Sequence, residues 1–356
     1  MKRLDLAGCS KQSGRNLVCG DKLLLIHSGS GCEFLFTGKK LTITLGCDKK
    51  CFKEGNVKNV PRAAILIDGE FIVKKRIEGR EESYTVIDSD TPVTKMVRIV
   101  KLSEAAFSIA EVSAECDDEG VIIAAPAHSL KMEFIGDSIT CGYGVDDSNT
   151  ASNFSTEAEN ALKSYATLTA KLLGADYSLF SYSGYGIISG YTDDGKRNTR
   201  EVLPQWYETY GFSYSLAADG SKTQDIPWDF SKFMPDIVVL NLGTNDNSYC
   251  RMNEGGYEEF EEKYLEFLRT IRRCNPQAHI VCVMGMMETG VDTYIRNAAK
   301  RSGDERCTCV SLTTQNGWLG YGSNWHPSED THAYRAKELA EYIIKAMENG
   351  TICIGK

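Results

Sequence analysis

Beyond residue 130 the chain repeats one pattern: a short, unbroken apolar run, a polar turn, then a stretch in which apolar residues recur at helical spacing. The run DIVVLNL at 236–242 is the clearest example. A strand with no polar face is buried on both sides, and this happens when helices cover both faces of a parallel sheet. The pattern predicts strands at 131–135, 176–181, 236–242, 279–284 and 308–312. It predicts helices at 156–173, 257–274, 291–302 and 329–349. In such sheets the working groups gather just past the carboxyl ends of the strands.

The first 115 residues follow a different grammar. Short alternating or apolar runs lie at 22–26, 33–36, 41–45, 63–67, 71–75, 93–102 and 107–113, many of them separated by Gly, Asp or Asn. Asp68-Gly69 between ILI and EFIV predicts a tight hairpin. Short strands at regular spacing predict a β-sandwich. The acidic, turn-like CDDEG followed by APAHS marks the change, so a β-sandwich domain at 1–122 and an α/β domain at 123–356 are expected.

Bulk properties narrow the class. There is no apolar run of about 18 residues, so a membrane span is not expected. The N-terminus, MKRLDLAGCSKQSGRN, has no apolar core of the secretory type. The net charge of −9 carries no basic stripe, which argues against nucleic acid. Thirteen cysteines include no CxxC and no zinc-type spacing, so no metal site is expected. An odd number of scattered thiols fits a reducing interior, and a cytoplasmic location is expected.

Three polar clusters fall at predicted strand ends. In KMEFIGDSITCGYGV an apolar strand runs into Gly136-Asp137-Ser138, placing Ser138 in the first turn after the strand. That serine reads either as an exposed nucleophile or as a helix cap. Strand 236–242 ends in Gly243-Thr244-Asn245-Asp246, where the Asn245 amide could donate to an oxyanion or close an Asx-turn. His326 lies in NWHPS, between a glycine-rich loop and the last helix, where a general base for serine could sit. His332 lies inside that helix and reads as a packing or capping residue. Together Ser138, Asn245 and His326 supply a nucleophile, an oxyanion donor and a base at one sheet edge.

These blocks resemble those of the SGNH hydrolases. The longer stretches EFIGDSITCGYG, WDFSKFMPDIVVLNLGTND and NWHPSEDTH, with FTGKKLTITL, ILIDGE and VRIVKLSEA in the β half, resemble carbohydrate esterase family 2. The resemblance covers nearly the whole chain. It implies a three-layer α/β/α domain preceded by a jelly roll. It also implies Ser138 as nucleophile, His326 as base, and an oxyanion hole of the Ser138 N–H, Gly184 in SYSGYG and Asn245, with Gly186 an alternative to Gly184. Members remove acetyl groups from plant polysaccharides such as xylan and glucomannan, without metal or cofactor. One departure stands out: where an Asp often precedes the histidine by three or two positions, this chain has Ser323 and Asn324. A Ser–His dyad follows, with a backbone carbonyl near Trp325 orienting the imidazole.

The resemblance therefore implies an O-acetyl esterase acting on acetylated oligosaccharides. The alternatives are a general small-ester or lipid hydrolase and a carbohydrate-binding protein with a vestigial site. Sugars stack on aromatic faces, so Tyr185, Trp325 and Trp318 are candidate substrate-binding residues, with Asp246 beside them; Trp206 and Tyr143 also fall near the loops. No nucleic acid or membrane partner is expected, and no oligomeric state is implied.

Overall fold

The computed structural model describes residues 1–48, 59–217 and 219–354. The chain divides into two compact units. The first comprises Met1–Ala127, Ser155–Ala161 and Thr209–Trp228; the second comprises His128–Phe154, Leu162–Glu208 and Asp229–Lys356.

The first unit is antiparallel and rich in β-structure. Its strands are β1 (Lys2–Arg3), β2 (Lys11–Ser13), β3 (Asn16–Cys19), β4 (Lys22–Leu25), β5 (Gly31–Cys47), β6 (Arg62–Ile67), β7 (Glu70–Arg76), β8 (Glu81–Lys101), β9 (Ala110–Cys116) and β10 (Val121–Ala124), with one helical turn, α1 (Leu6–Cys9). The main path is β3-β4-β9-β5-β8-β6-β7. The expected runs 33–36 and 41–45 are one strand of 17 residues, and 93–102 is the end of another of 21. Their alternation is masked where both faces carry polar residues, as in SYTVIDSDTPVT. Ladder pairing between these two strands breaks near Gly38, which lets each strand bend. Residues of alternate parity line the core: Phe34, Phe36, Leu41, Ile43 and Leu45 from β5, Val97 and Ile99 from β8, and Val112 and Ala114 from β9. The Asp68-Gly69 hairpin joins β6 to β7 as expected; both residues have positive φ, 52° and 88°, which a right-twisted two-residue turn requires.

The second unit carries a five-stranded sheet, β11 (Leu130–Gly136), β12 (Ala175–Ser181), β13 (Ile237–Asn241), β14 (His279–Met284) and β15 (Cys307–Ser311). All pairs are parallel and the order is β12-β11-β13-β14-β15. The helices are α2 (Ser138–Cys141), α3 (Tyr165–Leu172), α4 (Thr244–Cys250), α5 (Gly256–Cys274), α6 (Asp292–Ser302) and α7 (Glu329–Glu348). Helix α3 packs on α7, and α5 on α6. Burial of Phe260, Tyr264, Phe267, Leu268 and Ile271 along α5 explains its amphipathic pattern. Chain direction reverses across β11: the connection to β12 goes one way and the return to β13 the other. A crevice opens at such a switch point, between the ends of β11 and β13.

The helix predicted over 156–173 is a correction. Only Tyr165–Leu172 is α-helical; Thr156–Ala158 and Ala161–Lys163 are single 3₁₀ turns. Arg62 takes the carbonyl oxygens of Glu157 and Glu159 at 2.7 and 2.8 Å, so neither is free to continue a helix. Ser164 caps the true start through the Thr167 N–H.

Candidate active site

Strand β11 delivers Gly136, Asp137 and Ser138 to the switch point. Asp137 is extended (φ −107°, ψ −150°) and its carboxylate accepts the Ile139 N–H at 3.0 Å, capping the α2 turn. Ser138 is the first residue of that turn, and its N–H donates to no acceptor among the described residues. A side chain at position 136 would place its Cβ 2.0 Å from Thr140 Oγ1, so only glycine admits the turn.

The Ser138 Oγ lies 2.8 Å from His326 Nε2, and both residues are buried. The other ring nitrogen, Nδ1, lies 3.1 Å from the Asn324 carbonyl oxygen. A carbonyl can only accept, so Nδ1 carries the proton and Nε2 is left as the acceptor for the serine hydroxyl. Among the described residues no carboxylate reaches either nitrogen. Burial lowers the imidazole to about 4, against hydrogen bonds to the Asn324 and Ser323 backbone that pull it upward. Tyr143 packs edge-on against the ring, centroids 4.4 Å apart.

The carbonyl is aimed by a rare backbone. Asn324 and Trp325 are consecutive left-handed residues, φ 50° and 61°, a conformation costing about 1–3 kcal/mol per residue. Four hydrogen bonds among the described residues hold it: the His326 N–H on the Ser323 carbonyl at 3.1 Å, Gln315 Nε2 on the Trp325 carbonyl at 2.8 Å, the Gly322 N–H on the His326 carbonyl at 2.8 Å, and the Ser323 N–H on the Gly144 carbonyl at 3.2 Å. Gly144 permits the last; a Cβ there would sit 2.9 Å from the Ser323 oxygen.

Strand β13 delivers Asn245 to the same crevice. Its Nδ2 donates to the Tyr185 carbonyl at 2.8 Å and makes a long contact, 3.4 Å, to Asp137 Oδ2. Gly184 has φ +82°, and its carbonyl accepts from the Tyr191 N–H at 2.8 Å; its own N–H meets no acceptor among the described residues. Gly186 is a correction as an oxyanion donor, because its N–H is committed to the Glu201 carbonyl at 3.0 Å.

Two substrate-binding expectations are also corrected. Asp246 is fully buried, and its carboxylate accepts the N–H groups of Ile187, Ile188 and Ser189 at 2.9, 2.7 and 3.2 Å. It anchors the loop after Gly184 and has no face for a ligand. Tyr185 is 5% exposed and stacked on Tyr182, so its ring offers no platform. Trp318 and Trp325 are exposed, at 87% and 57%; Trp206 is half-buried and Tyr143 buried. His332 is a buried capping residue as expected, its Nδ1 accepting the Tyr165 N–H at 3.0 Å at the start of α3.

Sequence reasoning missed two carboxyls. Burial and the nearby Asp246 push Asp137 up to about 7. Glu201, half-buried and raised by desolvation, places Oε2 3.3 Å from where a Gly184 Cβ would be. Asp137 had a signal, its place before the nucleophile; Glu201 had none, since its loop carries no periodicity.

Residues 134–334 match the model of the GDSL-like Lipase/Acylhydrolase family. The chain belongs to that family. Among relatives of this GDSL-like protein, the cellulase/esterase CelE of Acetivibrio thermocellus is 30% identical over 89% of this chain and 37% of its own length. An acetylxylan esterase / glucomannan deacetylase of Cellvibrio japonicus is 30% identical over 61% of this chain and 57% of its own. The chain thus spans well under two thirds of either relative. Among solved structures, an acetyl xylan esterase from Butyrivibrio proteoclasticus superposes with a TM-score of 0.85 at 25% identity, covering 99% of both chains. A family two carbohydrate esterase from Clostridium thermocellum, in complex with cellohexaose, gives 0.79 at 28% identity, covering 96% of this chain and 99% of that one.

Proposed function

We propose that the protein is a carbohydrate O-acetyl esterase working through a Ser138–His326 dyad. The observation that carries this reading is the relay from the Asn324 carbonyl through the His326 ring to the Ser138 Oγ. His326 Nε2 takes the hydroxyl proton as Ser138 attacks the acetyl carbonyl. The oxyanion is held by the N–H groups of Ser138 and Gly184 and by Asn245 Nδ2, whose loosely held hydrogen turns from Asp137 to the developing charge. The sugar alcohol leaves with the proton from His326; water then repeats the cycle on the acetyl-enzyme. In place of a carboxylate, a fixed carbonyl dipole holds the tautomer.

The alcohol side of the ester is read from relatives whose names specify acetylxylan and glucomannan, and a sugar alcohol is the proposed leaving group. The test compares 4-nitrophenyl acetate, 4-nitrophenyl octanoate and acetylated manno- and xylo-oligosaccharides. Acetyl preference with deacetylation of the oligosaccharides is expected; preference for the octanoyl ester would instead favour a lipid hydrolase. We assign the ester chemistry to residues 123–356 and read residues 1–122 as a jelly-roll scaffold, supported by the alternating burial along β5 and the core that β5, β8 and β9 share. A cytoplasmic site of action is proposed from the thirteen scattered cysteines, an odd number with no CxxC spacing, which suits a reducing compartment; Cys51 lies outside the described residues.

Two outcomes follow. The neutral imidazole is the base, so activity is lost as pH falls through the pKa of His326. With that pKa lowered to about 4 by burial, the acid limb of kcat/KM should have its midpoint near 4 rather than at the ordinary value of about 6.5. A midpoint of 6.5 or above in a pH–rate profile would mean that a carboxylate supports the imidazolium. Trp325→Ala should raise KM for an acetylated oligosaccharide by roughly 10-fold, the loss of about 1.4 kcal/mol of ring contact. The same substitution should leave KM for 4-nitrophenyl acetate unmoved. Equal effects on both substrates in initial-rate assays would place the ring in the catalytic turn instead.

A further inference from the structure

A second cluster of reactive groups lies at the β15 edge of the parallel sheet. Edge strand β15 reads CTCVS, and the period of two puts Cys307 and Cys309 on one face. Its neighbour β14 places Cys282 opposite Cys309 in register. The Sγ of Cys282 is 3.7 Å from that of Cys307. Cys282 is buried, whereas Cys307 and Cys309 are half-buried. Both of the latter line a surface cavity of about 520 Å³, together with Arg296, Lys300 and Tyr342.

We propose that Cys282, Cys307 and Cys309 form a hydroperoxide-responsive thiol site, in which Cys309 is the attacking thiol and Cys282 the resolving one. The Cys309 thiolate attacks the peroxide: an S–O bond forms, the O–O bond breaks, and the alcohol or water leaves after taking a proton. Cys282 then attacks the sulfenic sulfur, giving a Cys282–Cys309 disulfide and water. Two thiols are oxidised and one peroxide is reduced.

The surroundings divide the roles. Hydrogen bonding from Cys282 holds the Cys309 thiol below its ordinary value, and the Arg296 guanidinium adds to this, against burial and Asp292. Hydrogen bonding to the other two cysteines and burial push the Cys282 thiol up. A more acidic thiol at the cavity wall and a less acidic one buried beneath it are the pair that such chemistry uses. Paired residues on adjacent strands stand about 4.8 Å apart, within the Cα separation a disulfide spans. Other buried thiols are unlike this: Cys250 donates to the Gly256 carbonyl and is pushed up to about 12 by burial.

The test treats the intact protein with a small excess of hydrogen peroxide, then blocks remaining thiols and maps each cysteine by mass spectrometry. The exposed Cys9 and Cys353 serve as internal references. Cys309 should lose its thiol at least about 10-fold faster than Cys9, with a Cys282–Cys309 disulfide that dithiothreitol reverses. In Cys282→Ser, dimedone should trap a sulfenic acid at Cys309. Loss at Cys309 no faster than at Cys9 overturns the proposal, as does a Cys282–Cys307 bond with Cys309 unmodified. The wild-type mapping stands even if Cys282→Ser fails to fold.

Discussion

Ser138→Ala should remove ester hydrolysis almost completely, with kcat falling by at least about 10⁴-fold, because the acyl-enzyme can no longer form. The serine Oγ is the only group hydrogen-bonded to His326 Nε2 among the described residues, so no neighbouring hydroxyl stands ready to replace it. The side chain is small and sits at the first position of the α2 turn, whose cap is supplied by Asp137 rather than by Ser138. The fold should therefore tolerate the change, with a melting temperature within a few degrees of wild type. His326→Ala should lose nearly as much, and the double variant little more than either, since residues that act as one unit are not additive. The measurement is initial rates on 4-nitrophenyl acetate with purified variants. Wild-type rates in Ser138→Ala would end the esterase reading. An inert wild type would leave only a binding role for the site.

The sequence made the strand ends legible because buried parallel strands are unbroken apolar runs, and their termini are marked by the first polar residues. Gly136-Asp137-Ser138, Gly243-Thr244-Asn245 and the His326 loop were found in this way, and the structure brings them to one crevice. Side-chain direction was not legible. Asp246 follows Asn245 directly, yet a helical turn sends the two side chains about 100° apart, so one faces Tyr185 and the other the N–H groups of 187–189. Tyr185 was misread for a related reason: beside Gly184 the chain turns, and its carbonyl, not its ring, faces the site. The segment 156–163 has helical periodicity but surrenders its carbonyls to Arg62, a partner about a hundred residues away in the chain. The replacement of a carboxylate by the Asn324 carbonyl depends on two left-handed residues, neither of them glycine. No local propensity announces such a turn.

Asn245→Ala should separate transition-state stabilisation from support of the loop. Loss of one oxyanion donor lowers kcat by roughly 10²–10³, about 2.7–4 kcal/mol. The Ser138 and Gly184 N–H groups remain, so activity should stay above that of Ser138→Ala. The amide has a second duty, because its Nδ2 also satisfies the Tyr185 carbonyl at 2.8 Å. Leaving that carbonyl without its donor destabilises the fold by about 1–3 kcal/mol, which chemical denaturation would read. The two effects are distinguishable. Destabilisation alone lowers the folded fraction and is corrected by active-site titration, whereas a missing donor lowers kcat per folded site. KM should change little, since an oxyanion exists only after attack. A rise in KM with kcat preserved would place Asn245 against the bound ester rather than the tetrahedral intermediate. The oxyanion would then rest on the two backbone donors alone.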